Sequence, residues 1–108
     1  MNNEDLEAFA EALQRVADYV DQPIPDATVY LKTNGRLRCM ARLQQVGPDA
    51  VLLDISPSAL RHERSRALTL LHEATHIMLP EASESETEAI AHEVLSLVED
   101  EMLEEDVE

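Results

Sequence analysis

The sequence predicts an α+β fold: one amphipathic helix, a three-stranded antiparallel sheet, then two further helices. Three observations carry it. Apolar residues recur at helical spacing through 4–21 and on both sides of position 80. Residues 27–33 are rich in β-branched and aromatic types, and residues 36–46 alternate apolar with polar. Asn34-Gly35 and Gly47-Pro48-Asp49 punctuate that middle stretch where tight turns would fall.

Residues 4–21 place Leu6, Phe9, Ala10, Leu13, Val16, Ala17 and Val20 on one face, with Asn3 as cap and Glu4 and Asp5 in the first turn. Pro23 and Pro25 end that helix. Residues 27–33 read as a strand, and Asn34-Gly35 as the two positive-φ positions of a hairpin returning through 36–46. In that return strand Leu37, Cys39, Ala41 and Leu43 face inward against Arg36, Arg38, Met40, Arg42 and Gln44, which makes Cys39 a small core residue. A third strand, 50–55, would complete an antiparallel meander. Ser56 caps a helical turn with Pro57 in its first position, and the next helix runs from about Arg64 to Leu79, stopped by Pro80. Ser83 and Glu86 form a capping box opening a last helix over about 84–103. A short loop makes these two helices antiparallel neighbours. On the last helix Glu88, Ala91, His92, Leu95, Val98 and Met102 share a stripe, while Glu84 and Glu86 look freer to face water. The acidic tail from about 99 opposes the helix dipole, so fraying is expected after Met102.

At 108 residues the chain suffices for a single domain, 1–108, with one modest core. Apolar residues make up 44% while aromatics number only three, so that core must be aliphatic. A lone cysteine, no apolar run near membrane-span length and an N-terminus without the order of a signal peptide point to a reducing cytoplasm and no membrane partner. The net charge of −15 is uneven: residues 1–26 hold seven acids and one base, 27–80 four acids and seven bases, 81–108 twelve acids and no base. That field argues against direct nucleic-acid binding. Arg36, Arg38 and Arg42, with Arg61, Arg64 and Arg66, read as partners for the acidic helices rather than as a phosphate-binding patch.

The chemistry concentrates in Leu70-Leu71-His72-Glu73-Ala74-Thr75-His76-Ile77-Met78-Leu79-Pro80. His72 and His76, four apart, project from one helix face about one turn apart, with Glu73 at the rim. Two neutral imidazoles suit Zn²⁺, a catalytic zinc wants three protein ligands plus water, and a neighbouring carboxylate can take that water's proton. The flanking apolar residues suit a half-buried helix rather than an exposed one. A third ligand is still needed, and Glu88 is the carboxylate on the apolar face of the following helix.

His72-Glu73-Ala74-Thr75-His76 followed by Glu88-Ala89-Ile90-Ala91-His92 resembles the gluzincin type of zinc metallopeptidase, in which a second helix supplies the third ligand from an E-x-x-x-D or E-x-x-A-N sequence. Within that class the small size and three-stranded sheet resemble the ImmA/IrrE-like group, and less closely the SprT-like group. The likeness covers about residues 50–98. It departs at His92, where those families carry Asp or Asn, and in the short interval from His76 to Glu88. The resemblance implies a minimal zincin-like fold, zinc on His72, His76 and Glu88, Glu73 as general base, and hydrolysis of a protein or peptide substrate, often a regulatory protein. His92 would hydrogen-bond a ligand histidine or close the site as fourth ligand. His62 and Tyr30 are the candidate transition-state donors. Two non-enzymatic readings stand beside this one: a catalytically inactive zincin-like module that keeps its metal, and an acidic protein-interaction module without metal.

Overall fold

A computed structural model describes the backbone of residues 3–106 and the side chains of residues 4–101. Its elements run α1 (Asn3–Val20), β1 (Thr28–Thr33), β2 (Ala41–Gly47), β3 (Ala50–Ile55), α2 (Pro57–Leu60), α3 (Glu63–Met78) and α4 (Glu84–Asp106). The α+β class holds, and every expected helix is present. The side chain of Asn3, read as a cap, lies outside the described residues.

Helix α1 buries Phe9, Ala12, Leu13, Val16 and Ala17, a stripe rotated slightly from the expected one, so that Leu6 and Ala10 face solvent. It closes before Pro23 is reached. Asp21 takes a positive φ of 57°, and the Gln22 N–H donates to the Ala17 carbonyl at 3.1 Å, the left-handed closure that satisfies a free carbonyl at a helix end.

The sheet corrects the expected antiparallel meander. Its strand order is β1-β3-β2, with β1 parallel and β2 antiparallel to β3. The first two strands never pair, and Asn34-Gly35 makes no hairpin. Asn34 instead accepts the Arg36 N–H on its own side chain at 3.0 Å, turning the chain inside a longer loop over 34–40 that carries it past β3 to the other edge. The physical reason lies in β3. Its Ala50-Val51-Leu52-Leu53-Asp54-Ile55 is the most continuously apolar strand, so the central place, where both edges are paired, suits it best. The more polar β1 and β2 take the edges, where charged and amide side chains are tolerated. Because the return strand begins only at Ala41, Cys39 lies in the loop and is exposed, not in the core. The expected alternation survives within β2, where Ala41 and Leu43 are half-buried and Arg42 and Gln44 exposed.

One core joins these layers. Leu31, Leu53 and Ile55 from one sheet face meet Phe9 and Val16 of α1, Leu70, Leu71, Ala74 and Met78 of α3, and Ala91, Val94 and Leu95 of α4. Ser56 accepts the Ser58 N–H to cap α2, with Pro57 in its first turn. Ser83 caps α4 as expected, the Glu86 N–H donating to Ser83 Oγ, and the return contact of the box is made by that hydroxyl, which donates to Glu86 Oε1, both at 3.1 Å. Helix α4 continues through Asp106, beyond the position where fraying was expected. Its inner stripe is Thr87, Ala91, Val94 and Leu95, with Val98 half-buried. Glu88 and His92 therefore sit on its flank, both exposed. Ion pairs fasten the acidic helices to the basic middle, as Arg64–Glu99 at 2.8 Å and Arg66–Asp5 at 2.7 Å, which is the role read for two of those arginines.

Candidate metal centre

Helix α3 packs its inner face so tightly that Ala74 and Thr75, the two residues inside the motif, are fully buried. The Thr75 hydroxyl is satisfied by donating to the Leu71 carbonyl at 2.7 Å. This seating leaves His72 and His76 half-buried on the adjoining face. Their rings meet edge to face with centroids 4.8 Å apart, and their Nε2 atoms stand 3.2 Å apart. Two nitrogens bound to one tetrahedral zinc at about 2.0–2.1 Å would be separated by about 3.3 Å, so the pair fits that ion. His72, Glu73 and His76 each offer a ligand atom within 4.8 Å of the others.

The next helix is registered by its loop. His76 and Glu84 each lie four residues from Pro80, and His72 and Glu88 each lie eight, so an antiparallel fold about Pro80 brings these pairs opposite one another. Glu84 sets Oε1 at 2.9 Å from His76 Nε2 and Oε2 at 3.3 Å from His72 Nε2. Glu88 sits elsewhere on the same ring, its Oε2 3.1 Å from His72 Nδ1, while its Oε1 is 3.2 Å from His92 Nε2. Thus His92 meets Glu88 rather than the histidine pair.

Glu73 differs from its neighbours in being 7% exposed. Burial raises its carboxyl above the ordinary carboxylate range; the nearby His76 charge opposes that shift and the Glu84 charge adds to it. A buried carboxylate with a raised proton affinity suits a general base.

The third wall of the cleft is β2. Ala41 and Leu43 line it with His72, Glu73, His76 and Glu84, and Met40 and Ala41 line the adjoining recess beside Glu88. Because β2 is an edge strand, one row of its backbone groups is unpaired within the sheet.

His72, Glu73 and His76 thus stand together with Glu88 beside His72, whereas His92 reaches Glu88 and not a histidine of the pair, and sequence reasoning passed over Glu84. Its signal was present: the loop over 79–83 is so short that the first turn of α4 must lie against the last turn of α3. The remaining candidates fall elsewhere. His62 occupies the exposed N-cap of α3, and Tyr30 is 55% exposed on β1, at the sheet edge opposite β2. Among the described residues no helix is long and apolar enough to cross a membrane. Comparison with protein-family models, curated proteins and solved structures finds no match to this chain.

Proposed function

We propose that the chain is a minimal zincin-like peptidase, a zinc-dependent hydrolase of peptide bonds that resembles the gluzincins and, within them, the ImmA/IrrE-like group. The observation that carries this reading is the pair of Nε2 atoms at zinc-compatible spacing beside the buried Glu73. His72 and His76, with a carboxylate from α4, would hold the ion. When bound, zinc would lower the pKa of a coordinated water and polarise the scissile carbonyl.

The protein's own groups do the rest. Glu73, ionised, takes the proton of the attacking water, a transfer that its raised proton affinity favours, and then passes that proton to the departing amine. Strand β2 offers an extended peptide backbone partners along the cleft, which would lay a substrate across the histidines without specifying its side chains. A protein or peptide is accordingly the substrate class, and a regulatory protein is what the family resemblance adds.

The test begins with metal analysis of protein purified without a His-tag, followed by cleavage of a casein-like substrate. One zinc per chain and hydrolysis that Glu73→Gln abolishes without releasing zinc are expected. Zinc without any cleavage would favour the inactive zincin-like module. Absence of zinc would favour the acidic interaction module.

A further inference from the structure

We propose that Glu84 is the carboxylate that completes the metal site with His72 and His76, and that Glu88 is a positioning residue holding His72 by its other nitrogen. The inference rests on the two histidines being metal ligands and concerns which acid joins them.

The geometry separates the two acids. Glu84 reaches the Nε2 atoms of both rings, at 2.9 and 3.3 Å, while those atoms are themselves 3.2 Å apart. The carboxylate thus straddles the pair, Oε1 on His76 and Oε2 on His72, and faces the two nitrogens whose spacing matches the roughly 3.3 Å between neighbouring donors on a tetrahedral zinc. Glu88 meets His72 at Nδ1. The two nitrogens of an imidazole point away from each other in the ring plane, so a group on Nδ1 lies on the far side of the ring from a metal on Nε2. A carboxylate accepting from Nδ1–H fixes the tautomer whose Nε2 lone pair is free, and makes that nitrogen a stronger ligand. The second oxygen of Glu88 is engaged by His92 at 3.2 Å, which holds the carboxylate in place from outside.

The register about Pro80 explains the assignment. A five-residue loop brings the first turn of α4 to the metal-facing nitrogens, one turn before Glu88, the position that the family resemblance marks.

The experiment loads the full chain with Co²⁺ and, separately, with Zn²⁺. It records the visible absorption of the cobalt form and obtains zinc affinity by competition with a chelator. Glu84 is well exposed, so its replacement should spare the fold. Glu84→Ala is expected to weaken zinc binding more than about 100-fold and to change the cobalt band. Glu88→Ala should weaken binding about 10- to 100-fold and leave the cobalt band in place, because it changes the orientation of a ligand and not the ligand set. A cobalt band unaltered in Glu84→Ala, or displaced in Glu88→Ala, overturns the assignment while leaving the histidines as ligands. Wild-type zinc affinity in His72→Ala would remove the metal reading itself.

Discussion

The Nε2 atoms of His72 and His76 stand 3.2 Å apart on one face of α3, a separation that leaves space for one small cation to be shared. Zinc should therefore stabilise the folded chain strongly, because the unfolded chain lacks this arrangement. Free zinc at about 100 times its dissociation constant contributes about 2.7 kcal/mol. For a chain of this size that corresponds to a rise in Tm of about 10–20 °C. Differential scanning calorimetry with and without a chelator measures it, and His72→Ala should melt at the metal-free temperature under both conditions.

Glu73 should reduce the stability of the metal-free protein at neutral pH. Its folded proton affinity is raised by burial, so at low pH both folded and unfolded states hold the proton and nothing is lost. As pH rises through the ordinary carboxylate range the unfolded chain ionises first, and stability falls until the raised folded pKa is passed. Glu73→Gln should therefore be more stable than wild type at pH 7 in chelator, with the difference vanishing below about pH 4. Urea unfolding across that range checks it; a difference independent of pH would show that desolvation of this carboxylate is not the cause.

Arg42 on the edge strand donates a 2.8 Å hydrogen bond to Asp54 Oδ2 on the central strand. Asp54 is 2% exposed, and its Oδ1 has no hydrogen-bonding partner among the described residues. Arg42→Ala should cost about 1–3 kcal/mol by leaving a buried carboxylate without its charged donor. Adding Asp54→Asn should recover part of that loss, as a double-mutant cycle in urea would report.

Gly35 distinguishes the observed loop from the hairpin that its sequence suggests. An Asn-Gly hairpin needs a positive φ at the glycine, where alanine is strained. Here Gly35 has no positive φ, and an added Cβ would meet nothing within 4 Å. Gly35→Ala should thus be neutral or stabilising by up to about 1 kcal/mol, because it restricts only the unfolded chain. A loss of more than 1 kcal/mol in thermal unfolding would favour the hairpin.

What the sequence determined by itself was local. The amphipathic stripe of α1, the Ser56-Pro57 start, the Ser83–Glu86 box and the placement of His72, Glu73 and His76 on one helix turn all depend on residues at most four apart along a helix or its cap, which the helix brings together whatever surrounds it. What only the tertiary structure decided was competition between distant segments. Asn34-Gly35 favours a turn, but β3 gains more by pairing along both edges, and the connecting loop that this requires takes Cys39 out of the core. Likewise the apolar pattern of α4 marked Glu88, yet which acid meets which nitrogen depends on the register of α4 against α3. The five-residue loop sets that register, placing Glu84 at the Nε2 atoms and Glu88 at Nδ1 because an antiparallel helix pair matches residues by their distance from the turn.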